Sequence, residues 1–337
     1  MIDLRDCRDN IPKVAEEWLK SLHDFLFEER EDKIGRKNAS YYDKKEKKAD
    51  DDQKTELKFF KENFREIVLA DEMDLECYSN VNVSEFMKTF MIRLYKDFTQ
   101  HEFNDDNENN KKDKKVNSIN NAHHFFRELN IRTCPYCNRH YTFTLDDKTA
   151  KVSPEYDHFY DKASYPLLAV SFYNLVPSCH TCNHVKRNNK ANINPYFSGF
   201  RRKFELQNED GERMLPDEVL KQKKTGRIGF GKLGDSEEEL KRFGEEQCNI
   251  GTFGLQGLYE MHDDYINEIV EKVITYNPTI RQTLVDAFQD QAYSPQQVYD
   301  FVWGRYLDEA QHGNRPLSKL TSDILEQLGI LPDNDFQ

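Results

Sequence analysis

The sequence predicts an α+β protein, mostly α, in which helical N- and C-terminal regions flank a small ββα unit. Three observations predict it. Apolar residues recur at helical spacing through much of residues 11–98 and again through 252–328. Between these regions, Tyr141, Phe143 and Leu145 alternate with polar neighbours, as a half-buried strand does. Two Cys-x-x-Cys pairs, Cys134/Cys137 and Cys179/Cys182, bracket that stretch.

In chain order, Ile11, Val14, Trp18, Leu22, Phe25 and Leu26 define one face of a helix over 11–30, with Pro12 suited to its first turn. Residues 54–76 read as helical with a less regular stripe. Ser84 is placed to cap a helix carrying Phe86, Phe90, Met91, Leu94, Tyr95 and Phe98. The charge-dense run Tyr42–Lys54 reads as a solvated helix face or loop. Residues 104–117, rich in Asn, Asp and Lys, are too poor in apolar groups to order themselves and read as a linker. A short helix over 120–129 leads to Cys134. Far downstream, 252–275 carries Leu255, Leu258, Tyr259, His262, Ile266, Ile269, Val270 and Val273, which makes His262 a core histidine. Ser294-Pro295 opens another helix, and Gly329 closes the last. Gly226 to Gly231 is glycine-rich but lacks the strand–helix context and lysine of a phosphate loop. The expected division is a helical region at 1–103, a linker at 104–117, a central domain at 118–205 and a helical region at 206–337.

The chain has 337 residues, 37% of them hydrophobic and 32% charged. Its 23 Phe and 17 Tyr argue for a folded core despite the polarity. No apolar run is long enough to span a membrane, and the first residues, Met1 to Asp6, lack an apolar signal core, so the expected compartment is the cytoplasm. A net charge of −13 argues against general affinity for nucleic acid. The distribution of that charge points the other way. Residues 132–203 hold 11 Lys and Arg against 5 acids, whereas the rest holds 37 against 56. A basic island in an acidic chain points to a local phosphate-binding surface.

Four of the seven cysteines form the two pairs; Cys7, Cys77 and Cys248 stand apart and read as small buried hydrophobes. In a reducing compartment, paired Cys-x-x-Cys indicates zinc rather than disulfides. A four-thiolate site has no open position for substrate, so this zinc is structural. The stretch between the pairs reads as a hairpin: a first strand at Tyr141–Leu145, a turn at Asp146-Asp147-Lys148, and a second strand from Val152 to Phe159 that ends on Asp157-His158. A helix begins near Thr181. Cleaving a phosphodiester needs an activated water and neutralisation of the phosphate and the leaving oxygen. A histidine serves as base near neutral pH, and one divalent cation held by few oxygen ligands supplies the rest. Asp157, His158 and Asn183 fit those needs. Neighbouring strand residues point to opposite faces, so Asp157 and His158 must lie where the strand ends or twists.

Asp157-His158, Asn174 and Asn183, framed by Cys134-Pro-Tyr-Cys137 and Cys179-His-Thr-Cys182, resemble the HNH, or ββα-metal, endonuclease family over residues 131–200. The resemblance implies that Asp157 binds a catalytic Mg2+ or Mn2+. It makes His158 the general base, has Asn174 hold the loop that positions the base, and makes Asn183 the second ligand of the cation, a position where many members have His. His184, directly after it, is a substitute ligand. Lys186, Arg187 and Lys190 then contact the phosphates of nucleic acid, expected to be double-stranded DNA, with RNA left open. The central unit becomes a zinc-stapled HNH finger. The layout also resembles the nuclease subunits of Septu-type anti-phage systems, in which an HNH protein works with a separate ATPase; the helical arms then dock that partner. Two other readings stay open: a non-catalytic zinc module, and a stand-alone restriction-type nuclease.

Overall fold

The computed structural model describes residues 1–31, 37–101, 120–146, 151–222, 226–289 and 293–330. The expected linker at 104–117 lies outside them, as do Asp147 and Lys148 of the expected turn. The fold is mostly helical. Among the described residues, no helix is long and apolar enough to cross a membrane. The chain forms two compact units, one of Arg8–Ile131 and Thr142–Asn183, the other of Met1–Cys7, Arg132–Tyr141 and His184–Gln337.

The first unit is built on α1 (Ile11–Phe27), which buries all six residues of the predicted stripe. The helix α2 (Tyr41–Glu46) and the start of α3 (Asp51–Glu62) occupy the charge-dense run, with Tyr42 turned inward. The rest of the less regular stripe breaks into α4 (Phe64–Val68) and α5 (Glu72–Ser79). Ser84 does cap α6 (Glu85–Thr99), its hydroxyl accepting from Met87 N at 3.3 Å. The short helix α7 (Asn121–Leu129) ends on Asn130 in the left-handed conformation that Asn tolerates.

Trp18 is the hub of this unit. Its ring meets Phe98 at 4.8 Å and Phe125 at 5.0 Å edge-on, and reaches Tyr156 and Phe172 at 6.2 Å. Its indole N–H donates to the Val170 carbonyl at 3.0 Å. Tyr156 also stacks on Phe126 at 3.5 Å. A helix predicted from spacing alone therefore seats the strand that carries Asp157 and His158.

The strands differ from the expected hairpin. β1 (Leu145–Asp146) and β2 (Lys151–Val152) pair as a minimal ladder. The strand bearing the candidate site, β3 (Glu155–His158), pairs instead with β4 (Leu175–Ser178), antiparallel, with Asp157 opposite Val176 and His158 opposite Leu175. α8 (His180–Lys186) follows directly. The expected hairpin is reduced to this end of it, Leu145 opposite Val152, for want of a core: Phe143 and Leu145 remain about half exposed, as does Val152. Leu175, Val176 and Pro177, an apolar run without alternation, are buried and win the pairing.

In the second unit, β5 (Phe204–Gln207) pairs antiparallel with β6 (Arg227–Phe230). Gly226 enters β6 at φ +61°, where a Cβ would stand 2.2 Å from the Gln207 carbonyl oxygen. The glycine-rich stretch is thus a strand entry. Helices α9 (Glu237–Thr252), α10 (Leu255–Glu260), α11 (Asp263–Thr275), α12 (Pro278–Gln289), α13 (Pro295–Trp303) and α14 (Ser318–Gln327) belong to the same unit, with short helical segments at Leu4–Cys7, Pro216–Gln222 and Glu309–Asn314. A capping box at Ser294 and a left-handed Gly329 mark the ends read from the sequence. On α14, Asp323 accepts from Phe204 N at 2.9 Å, and Gln327 accepts from Leu206 N at 2.7 Å and donates to Leu206 O at 3.0 Å.

Candidate functional site

The four cysteines are buried, and their Sγ atoms all lie within 4.8 Å of one another. A tetrahedral zinc with Zn–S bonds near roughly 2.3 Å needs sulfurs about 3.8 Å apart, so the cluster could hold a zinc ion. Local backbone supports this donor set. Arg139 N points at Cys137 Sγ at 3.4 Å, and Cys182 N at Cys179 Sγ at 3.5 Å. Such N–H groups favour thiolates over thiols. The turn of the first pair is closed by Asn138 N donating to Cys134 O at 2.7 Å, with Asn138 at φ 47°. The Asn138 side chain donates to Thr133 Oγ1 at 3.1 Å and to His312 O at 2.9 Å, which locks that turn into the second unit's core. The other cysteines are not buried hydrophobes: Cys77 is exposed, and Cys7 and Cys248 are partly so, with their thiols against the carbonyls of Glu309 and Lys190.

β3 carries two faces of different character. Tyr156 and His158 share one. His158 is 7% exposed, its Nε2 lies 3.1 Å from the Ala169 carbonyl, and its ring meets Tyr95 edge-on at 4.6 Å. A carbonyl only accepts, so Nε2 carries the proton, and in the neutral ring Nδ1 is the basic nitrogen. Glu155 and Asp157 share the other face. Asp157 is buried, and Glu155 accepts from Asn183 Nδ2 and from His180 Nδ1, the latter at 2.8 Å. Burial acts to raise the Glu155 pKa, but the hydrogen bonds from Asn183 and His180 outweigh it and hold this carboxyl below its ordinary value. The same bond to Glu155 raises the His180 pKa.

Asn174, fully buried, ties the loop between β3 and β4. Its Nδ2 donates to Leu168 O at 2.9 Å and to Tyr160 O at 3.0 Å, and its Oδ1 accepts from Tyr160 N at 2.7 Å. Its backbone carbonyl accepts from Phe159 N at 2.8 Å. The carbonyl that orients His158 belongs to this same tied loop. Lys162 lies in it too, its ammonium 5.0 Å from the Tyr95 ring centre. Burial lowers the Lys162 pKa, partly countered by the charge of Asp157.

The basic residues divide. Lys186, the last residue of α8, is fully buried and so does not present its charge to a phosphate, contrary to expectation. Arg187 and Lys190 are exposed, and Arg187 bonds the carbonyl and ring of exposed His184. Part of the basic island is engaged internally. Arg202 is buried against the carbonyls of Phe230 and Gly231, Arg201 pairs with Glu238, and Lys203 with Glu326. His262 is only half-buried and accepts from Arg139 Nε at 2.9 Å, a partnered surface histidine rather than a core one.

Glu155, His180, Tyr95 and Lys162 are site neighbours that the sequence reading misses. Glu155 is legible in principle, since it lies two residues before Asp157 and strand periodicity puts both on one face. Tyr95 comes from a helix remote in sequence, and no local pattern announces it. No family model, curated protein or solved structure matches this chain.

Proposed function

We propose that this chain is a metal-dependent HNH endonuclease that hydrolyses phosphodiester bonds, with DNA as its substrate. The observation that carries the reading is the order and partnering of one small unit: a strand ending on Asp157-His158, a loop tied by Asn174, a second strand, and a helix whose first turn bears Asn183 beside the last cysteine. The oxygens of Asp157 and Asn183 suit Mg2+ or Mn2+, which would neutralise charge on the scissile phosphate and the leaving oxygen. His158, with Nε2 tied to the Ala169 carbonyl, offers Nδ1 to take the proton of the attacking water. Asn174 fixes the loop that supplies that carbonyl. Arg187 and Lys190, exposed beyond the helix, are the groups to meet the backbone phosphates. By its resemblance, the chain acts in anti-phage defence beside a separate ATPase, and the acidic remainder keeps the free protein from cutting indiscriminately.

The test is cleavage of plasmid DNA by the purified full chain with Mg2+ or Mn2+, alone and with the proteins encoded beside it. His158→Ala is expected to reduce cleavage by about 10²- to 10⁴-fold while zinc content and helicity are retained. Cleavage equal in the wild type and His158→Ala would overturn the mechanism. A zinc-loaded, folded protein that cuts under no condition would turn the reading to the zinc interaction module.

A further inference from the structure

We infer that Glu155 is a positioning residue that fixes which atom Asn183 offers to the catalytic cation; the inference rests on the nuclease reading above. An asparagine is an ambiguous ligand. Its amide has an oxygen, which binds a cation, and an NH2 group of nearly the same shape, which does not. A half-turn of the side chain exchanges them. Something must select the productive orientation, and Glu155 does so. An ionised carboxylate only accepts, and this one accepts from Asn183 Nδ2. With its NH2 group held there, the amide turns Oδ1 away from Glu155. The carboxylate is itself fixed, because its other oxygen meets His180 Nδ1 at 2.8 Å. Glu155 and Asp157 stand two residues apart on β3, on one face, so the selected amide oxygen and the Asp157 carboxylate serve the same side of the strand. Opposite Glu155 in the ladder is Ser178, whose buried hydroxyl has no hydrogen-bond partner among the described residues. The Ser178 hydroxyl therefore does not compete with Asn183 for the Glu155 carboxylate.

The test is Mn2+ binding to the zinc-loaded full chain, read by electron paramagnetic resonance of the free ion, with zinc content and thermal stability checked for every variant. Glu155→Ala is expected to weaken Mn2+ binding by about tenfold, as loss of a partner behind a metal ligand does. Glu155→Gln is expected to restore it, since the Gln oxygen still accepts from Asn183 Nδ2. On an Asn183→Ala background, Glu155→Ala is expected to add nothing. On an Asn183→His background, whose ligand has no amide to orient, its effect is expected to shrink; this pair carries the test if Glu155→Ala does not fold. Unchanged binding in Glu155→Ala overturns the proposal. So does Glu155→Gln binding as weakly as Glu155→Ala with effects that add to Asn183→Ala, which would make Glu155 a direct ligand. If Asp157→Ala leaves Mn2+ binding untouched, the cation is not at this site, and the nuclease reading falls first.

Discussion

Asn174 holds Tyr160 from both sides of one residue, its Oδ1 accepting from Tyr160 N at 2.7 Å and its Nδ2 donating to Tyr160 O at 3.0 Å. A single buried amide thus replaces the backbone pairing that the chain gives up as it leaves β3. Asn174→Ala would strand these groups and the Leu168 carbonyl in the interior. The expected cost is about 2–3 kcal/mol in urea denaturation, with cleavage falling alongside because the loop orients His158. Asn174→Asp keeps the acceptor and loses both donated bonds, and is expected to fall no less. An Asn174→Ala protein as stable as the wild type would show that the tie is dispensable.

Zinc removal tests the cysteine cluster. Atomic emission is expected to find one zinc per chain, and Cys179→Ser to lower that content. A strong chelator is expected to cost near-UV circular dichroism before far-UV signal, because the buried thiolates lose their common partner while the long helices persist. Acid should promote the loss by protonating the thiolates. A zinc-free preparation with unchanged near-UV signal and stability would show that the cysteines need no metal to hold the fold.

Trp18→Phe probes how the first unit seats its strand. Phenylalanine keeps most of the ring contacts with Phe98 and Phe125 but leaves the Val170 carbonyl without its 3.0 Å donor. The expected loss is about 1–3 kcal/mol, the range for an unsatisfied buried acceptor. Because Val170 adjoins Ala169, whose carbonyl orients His158, a further fall in cleavage rate is expected under conditions where the variant remains folded. A purely structural role would leave the rate of the folded fraction unchanged.

His312 sets an acid limit on the second unit. Burial, reinforced by the nearby charge of Lys319, pushes its pKa down from 6.5 to about 4. The unfolded chain therefore takes up this proton first. The sign follows: stability is greatest above the unfolded pKa, falls as pH drops from 6.5 toward 4, and levels off below that. The full drop is about 3 kcal/mol. His312→Gln, which still offers a donor to the Leu307 carbonyl, is expected to flatten this part of the pH–stability curve measured by urea midpoint. An equally steep curve in the variant would assign the effect elsewhere.

Most of the helical architecture was legible because it rests on local spacing. The stripe from Ile11 to Leu26, the Ser84 and Ser294 caps and the terminal Gly329 each carry their signal within a turn or two. The cysteine cluster was legible because two pairs with that spacing have few other uses. The strand pairing was not. Alternation at Tyr141, Phe143 and Leu145 is a real pattern, but a ladder goes to the segment that gains more burial, and Leu175–Ser178 is buried throughout. The fate of individual charges was equally hidden. Lys186 and Arg187 are adjacent in sequence, and one is buried as the last residue of α8 while the other is exposed just past it, with its backbone at φ 45°.

The contacts between α14 and β5 reach beyond packing. Asp323 and Gln327 occupy the N–H groups of Phe204 and Leu206, and Met214 N adds a bond to the Leu206 carbonyl at 2.9 Å. The outer flank of this two-stranded ladder therefore offers little unpaired backbone to another chain. Strand addition at this β5 flank requires α14 to lift away first. How often this edge is bared then depends on how often one ten-residue helix detaches, rather than on how often the whole molecule unfolds.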